Sequence, residues 1–337
     1  MSEELEKSGI VSRRDFLRLS GIAGAGVVMV ACGTPPAPTG EDAGAAEGGE
    51  AAAPAAEGST GSGDVPREKT LILMNGGTEG QYADVGLASM YVPGTTGHRA
   101  ITGSFEPLFY YSAFADEFVP WLAESYEYND DYTELIVKTR EGAEWSDGEP
   151  FDAEDVVFTI NMLKENAPSL RNSSEVDLWV KEATVVDNLT AKIVFNDPRP
   201  RFAFSHLTGK FDTGIYWVPE HVYKDVEDVT SFTFYDPEKG WPLVTGPYNV
   251  TDWRPEQQIN DRRDDWWAAK IGFAELPAPE RILMLPWSSE ERAAQLIINN
   301  EIDSSLDFRA TTIPQIVARN PAIITHTATE LPRRYID

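Results

Sequence analysis

The stretch Trp145-Ser146-Asp147-Gly148-Glu149-Pro150-Phe151-Asp152-Ala153-Glu154-Asp155-Val156-Val157-Phe158 decides how the rest of the chain is read. Asp147-Gly148 is a turn signal, because glycine takes positive φ without steric cost. Pro150 keeps the chain extended just ahead of a helix. Asp152 is placed to cap that helix, and Asp155 occupies the capping-box position three residues on. Phe151 before the cap and Val156 after it form a hydrophobic staple. Ala153, Val156, Val157, Ile160 and Leu163 fall on one helical face. The stretch therefore predicts a strand, a tight turn and a firmly capped amphipathic helix. It contains no nucleophile–base pair and no phosphate-cradling glycines, so its physics is that of a structural joint.

Working outward, Thr133, Leu135, Val137 and Thr139 alternate with Glu134, Ile136, Lys138 and Arg140, a strand with one buried face. Asn129-Asp130-Asp131 turns the chain ahead of it. Downstream, Val176–Val186 and Ala191–Phe195 read as a strand pair joined at Asp187-Asn188. Thr70–Met74 reads as a buried strand stopped by Asn75-Gly76-Gly77. A helical stretch is expected before Phe105. Arg281–Leu285 is a further strand. Ser288-Ser289-Glu290-Glu291 is a capping box opening a helix with Ala294, Ile297 and Ile298 on its apolar face, ended by Asn299-Asn300.

The motif at 145–158 resembles the signature of the extracellular solute-binding proteins of the oligopeptide/dipeptide ABC-import family. Several other blocks extend the resemblance over residues 67–337. Pro120–Tyr126, Ile215–His221, Thr245–Val250 and Glu301-Ile302-Asp303 each match a family block, that at Ile215–His221 being a strand followed by Val-Pro. Two departures stand out. Val244 replaces the first glycine of the Gly-x-Gly-Pro-Tyr turn, and Arg263-Asp264-Asp265-Trp266-Trp267 replaces Asn-Pro-x-Tyr-Trp while keeping an aromatic pair.

The resemblance implies a mixed α/β fold, a periplasmic-binding-protein-like class II lobe with an inserted subdomain. The first-lobe sheet would use residues 67–104 and 236–310, and the subdomain residues 105–235. Residues 311–337 would begin a second lobe that is otherwise largely missing, so the chain reads as the N-terminal portion of a longer protein. The loop Tyr91-Val92-Pro93 would approach the ligand. Trp217, Trp241 and Trp267 are the other candidate cleft residues, since flat apolar rings suit sugar faces.

Composition sets wide bounds. The chain has 337 residues, 42% apolar, with a formal net charge of −27. A chain this acidic is a poor partner for nucleic acid, whose phosphates need clustered Lys and Arg. The single cysteine, Cys32, rules out an intrachain disulfide, and the four histidines show no metal-ligand spacing. No cofactor is implied.

Residues 1–32 read as an export address. Ser12-Arg13-Arg14-Asp15-Phe16-Leu17 is a twin-arginine pattern, and Leu19–Ala31 is a short apolar run too rich in small residues to span a membrane comfortably. Met29-Val30-Ala31-Cys32-Gly33 resembles a bacterial lipobox, with Met29 in place of the more usual Leu. Cys32 would then carry a lipid after cleavage. Residues 33–66 are Ala, Gly, Pro, Ser and Glu with almost no large apolar side chain, the composition of a disordered tether.

The resulting expectation is a substrate-binding lipoprotein on the outer face of the cytoplasmic membrane. It would hold an oligopeptide, or alternatively an oligosaccharide, and hand it to an ABC permease. A secreted hydrolase is the competing class. It finds no Gly-x-Ser-x-Gly, His-Glu-x-x-His or Ser-x-x-Lys motif to rest on.

Overall fold

Apolar alternation and well-placed turns produce three sheets among the described residues of this computed structural model, which are 65–95, 103–112, 115–209, 214–305 and 308–325. In chain order the first elements are β1 (Thr70–Met74), β2 (Phe109–Ser112), β3 (Glu117–Pro120), β4 (Ala123–Tyr128) and β5 (Glu134–Thr139). Next come α1 (Ala153–Glu165), α2 (Ser173–Trp179), β6 (Val180–Asp187), β7 (Thr190–Phe195), α3 (Phe202–His206), β8 (Thr208–Gly209) and α4 (Glu220–Tyr223). The chain continues through β9 (Tyr248–Arg254), β10 (Gln257–Arg262), α5 (Trp267–Lys270), β11 (Arg281–Leu285), α6 (Glu290–Ile298), β12 (Ser304–Ser305) and α7 (Ile313–Arg319).

The largest sheet has the order β12-β1-β11-β10-β9. β1 runs parallel to both β11 and β12, while β10 runs antiparallel to β11 and β9. A four-stranded antiparallel sheet, β4-β5-β7-β6, is built from residues 123–195. A small sheet, β3-β2-β8, completes the set. The main core runs continuously from Leu135, Val137 and Ile193 of the four-stranded sheet, through Val156, Ile160 and Leu163 of α1, to Val244 and Trp267.

The helix predicted from the opening motif is α1. Asp152 caps it with a complete capping box, in which Asp155 reaches back to the Asp152 N–H. Phe151 and Val156 are both buried in the same cluster, as a staple requires. Gly148 sits at φ +92°, the left-handed turn that Asp147-Gly148 encodes. Ala153, Val156, Ile160 and Leu163 are buried, whereas Val157 is only half-buried.

Four expectations change. Val176–Trp179 is helical rather than extended, because Ser173 and Val176 turn one face into the core against α1 before the strand begins at Val180. Ile215–Val218 is extended and buried but joins no sheet. Side chains take the place of a neighbouring strand there: Tyr216 N–H donates to the Tyr91 hydroxyl at 3.0 Å, and Val218 N–H to Thr159 Oγ1 at 3.1 Å. The cap of α6 is Ser289, whose hydroxyl accepts from Arg292 N–H, so no acid closes a capping box. Its fully buried residues are accordingly Ala293 and Leu296, with Ala294, Ile297 and Ile298 at the margins.

The end of α6 follows its sequence. Asn300 takes φ +60°, Asn300 N–H donates to the Ile297 carbonyl and Glu301 N–H to the Leu296 carbonyl, the paired bonds of a Schellman ending. The helical stretch expected before Phe105 lies largely outside the described residues, as do the export address and tether.

Candidate functional site

The joint at 145–158 turns on Asp155. Its carboxylate is 3% exposed and accepts from Trp145 Nε1 at 3.0 Å, Asp152 N–H at 3.3 Å and Glu220 N–H at 2.8 Å. One buried acid thus holds together the turn before α1, the first turn of α1 and the start of α4. Burial pushes its pKa up to about 7, against the pull of those three N–H donors. Ser146 Oγ accepts from Val244 N–H at 3.2 Å, and buried Arg263 donates to the Val244 carbonyl at 3.0 Å. These bonds tie the motif to the segment entering β9. In that segment Gly246 lies so close to neighbouring backbone that a Cβ would sit 2.4 Å from the Gly103 carbonyl oxygen.

A second buried acid, Glu106, is held by indoles. It accepts from Trp121 Nε1 at 2.8 Å and Trp267 Nε1 at 2.9 Å. Burial again dominates and raises its pKa to about 7, while the indole donors lower it. Each acid is a polar clamp across elements distant in sequence.

The edge that can hold a solute lies elsewhere. Because β1, β11 and β12 are parallel, their carboxyl ends open on one side of the sheet, where open α/β sheets gather their ligand-holding loops. Asn75-Gly76-Gly77 leaves β1 there and meets Pro286-Trp287 leaving β11. Trp287 N–H donates to the Gly76 carbonyl at 2.6 Å, and Gly80 N–H donates to the Trp287 carbonyl at 2.9 Å. Gly77 takes φ +76°, and a Cβ on it would lie 2.7 Å from both the Gln81 carbonyl oxygen and Pro286 Cβ. Only glycine fits so tight a meeting of loops.

The loop after Tyr82 is pinned to the segment 232–241 by Ala88 and Ser89 N–H groups that both donate to the Thr233 carbonyl. That segment is aromatic. Phe232, Phe234 and Trp241 pack edge to face or tilted, and Tyr235 lies 5.5 Å from Trp253. Tyr235 and Trp241 are half-buried, and Lys239 Nζ lies 4.5 Å from the Trp241 ring centre.

The candidate cleft residues divide on this geometry. Tyr91 is 1% exposed, and its hydroxyl donates to the Tyr216 carbonyl while accepting the Tyr216 N–H. Trp217 is 3% exposed and Trp267 0%. These three are enclosed by packing in the main core; Tyr91 also serves the Tyr216 backbone and Trp267 the Glu106 carboxylate, whereas Trp217 Nε1 meets no such group. Val92 and Trp241 are both half-buried, so each reaches the surface in part. Trp267 belongs with Trp266, Trp121 and Phe273, a different group of rings from that around Trp241. Trp287 and Tyr235 at the open edge were not singled out from the sequence; of the two clamps, the sequence marks Asp155 only as a capping acid and Glu106 not at all. A glutamate between Phe105 and Pro107, in an otherwise apolar block, was the available signal for the second.

A mixed α/β body with an open edge of glycine loops and half-buried rings has the architecture of a periplasmic-binding-protein-like lobe. The profile of the bacterial extracellular solute-binding proteins, family 5 (middle), matches residues 117–335, and the chain belongs to that family. Its structure is similar to a mannohexaose-bound periplasmic oligopeptide-binding protein of an oligopeptide ABC transporter from Thermotoga maritima. The two share 28% identity and a TM-score of 0.60, over 75% of this chain and 44% of that one. The chain is 29% identical over 224 residues to a periplasmic alpha-galactoside-binding protein of Rhizobium meliloti (strain 1021), covering 63% of this chain and 29% of the relative. It is 27% identical over 157 residues to a probable peptide-binding protein of Agrobacterium fabrum, covering 44% of this chain and 24% of the relative. The chain therefore spans less than half the length of these relatives. Family members are extracellular solute-binding proteins rather than enzymes.

Proposed function

We propose that this chain is the substrate-binding lipoprotein of an ABC importer, exported through Arg13-Arg14 and anchored through a lipid on Cys32. It captures an oligopeptide outside the cytoplasmic membrane and delivers it to the permease. The observation that carries this reading is the edge where β1, β11 and β12 end in parallel, lined by glycine loops within a chain of the solute-binding family. Main-chain groups at such an edge hold a peptide backbone while tolerating many side chains. Val92 and Trp241 contact the solute in this reading. Tyr91, Trp217 and Trp267 support the wall beneath it.

An oligosaccharide is the second reading. It rests on the half-buried rings of Trp241 and Tyr235 and on the mannohexaose and alpha-galactoside for which two relatives are described. Calorimetric titration of the full-length protein with defined oligopeptide and oligosaccharide pools separates the two. Binding of peptides tighter than about 10 μM, with sugars inert, supports the first. The reverse supports the second, and binding of neither overturns both. Cys32→Ser should release exported protein from the membrane fraction, or leave it unprocessed; wild-type protein found in the cytoplasm with its first residue intact refutes the anchor.

A further inference from the structure

An open groove of about 840 Å³ lies along the solvent side of α1. Glu154, Phe158, Asn161 and Glu165 all line it, and their spacing puts them on a single helical stripe. This stripe lies apart from the Ala153, Val156, Ile160 and Leu163 face that the core buries. Val157 and Phe158 form part of an apolar floor and face Val226 and Val229 from the segment beyond α4. All four are only half-buried. The groove shares no residue with the loops at the carboxyl ends of β1 and β11.

The charge around this floor is one-sided. Glu154, Glu165, Glu220 and Glu227 line the groove, and the one cation lining it is Lys224, whose Nζ lies 3.4 Å from Glu220. Four acids against one lysine leave a formal charge of 1 − 4 = −3. Glu154, Glu165 and Glu227 are exposed, and none has a cationic partner among the described residues. Such a surface repels an anionic lipid headgroup, a nucleic acid and a second copy of a chain that carries −27. A neutral apolar partner would bury the floor at the cost of desolvating uncompensated carboxylates. Basic side chains flanking an apolar anchor satisfy both parts of the groove at once.

We infer that the α1 groove is a docking surface for a basic polypeptide segment of a partner protein. One or two large apolar side chains of the partner seat on Val157 and Phe158, and Lys or Arg on either side reach Glu154, Glu165 and Glu227. The rim selects the partner and speeds its encounter, while the floor supplies the lasting contact.

The probe is a fluorescein-labelled synthetic peptide of about 14 residues, with Lys and Arg flanking a central Leu-Phe pair. A peptide of the same length with Glu at the basic positions is the control. Fluorescence anisotropy against the 337-residue chain should show binding of the basic peptide alone. Glu165→Lys/Glu227→Lys should weaken it about tenfold, and Phe158→Ser should weaken it without any change of charge. Glu127→Lys/Asp130→Lys alters charge equally at exposed positions outside the groove and should change binding less than about twofold. Circular dichroism verifies that each variant is folded. Equal weakening by the two charge reversals would mean attraction to net charge alone and overturns the inference, as does failure of the basic peptide to bind or indifference to Phe158→Ser in a folded variant.

Discussion

Replacing Trp145 by Phe should destabilise the fold, and more so at high pH than at low pH. Trp145 Nε1 donates to Asp155 at 3.0 Å, and both residues are buried. The change keeps an aromatic ring but deletes one of three donors to a carboxylate. Burial holds Asp155 at a pKa of about 7 against an ordinary 3.8, so the folded state keeps this proton longer than the unfolded state does. The associated stability is complete below the unfolded value and is lost as pH rises through the folded one. That difference sets a ceiling of about 4 kcal/mol across the window.

In the variant the ionised carboxylate loses a charge-assisted bond worth about 1–3 kcal/mol, whereas the protonated acid loses about 1 kcal/mol or less. The pKa of Asp155 therefore rises further. The penalty of the substitution should be larger near pH 8.5 than near pH 5.5 by about 1–2 kcal/mol. The volume lost from the ring costs the same at both pH values and cancels in that difference, as does the general repulsion within a strongly acidic chain. Urea unfolding followed by circular dichroism, at both pH values and for both proteins, gives the four numbers needed. A penalty equal at the two pH values would refute the claim that the indole serves the carboxylate; Trp145 would then be packing alone.

Asp152→Ala should cost on the order of 1 kcal/mol by removing the α1 cap, measured by the same unfolding curves, and should leave solute affinity of the folded full-length protein nearly unchanged. Tyr91→Phe should cost about 1–3 kcal/mol, because the Tyr216 carbonyl and N–H both lose their partner. A large affinity loss with unchanged melting would instead make Tyr91 a solute contact. At the left-handed end of α6, Asn300→Gly should be neutral or slightly stabilising in thermal melts, while Asn300→Val should cost about 1–2 kcal/mol.

What the sequence made legible was what closes over a short span. The turn at Asp147-Gly148, the cap at Asp152, the box at Asp155 and the staple of Phe151 with Val156 lie within a dozen residues of one another. Each residue type there has one strong local use, so pattern and structure agree. The same holds for the Asn299-Asn300 helix end and for the alternation of β5. The errors fall where the deciding partner is remote. Ile215–Val218 has the apolar run of a strand, but its N–H groups are met by Tyr91 and Thr159, 125 and 59 residues away. Val176–Trp179 has strand-forming residues, yet packing against α1 coils it into helix. Local preference is weak beside tertiary contact at such places.

The candidate site shows the same division in chemical terms. A tryptophan read from sequence carries two uses, an apolar platform and an N–H donor, and only the fold chooses between them. Trp145, Trp121 and Trp267 are chosen as donors, because Asp155 and Glu106 must be buried to join distant segments and a buried carboxylate needs donors. The rings of Trp145 and Trp267 are enclosed as well and offer no flat face to a solute, whereas Trp121 donates to Glu106 and is still only half-buried. Trp241 has no such carboxylate to serve. Its neighbours are Phe232, Phe234 and the Lys239 ammonium, and its ring stays at the surface. Service to a buried acid is only one route out of reach: Trp217 is 3% exposed with no carboxylate on its indole, so the depth at which packing sets each ring decides whether it can meet a solute.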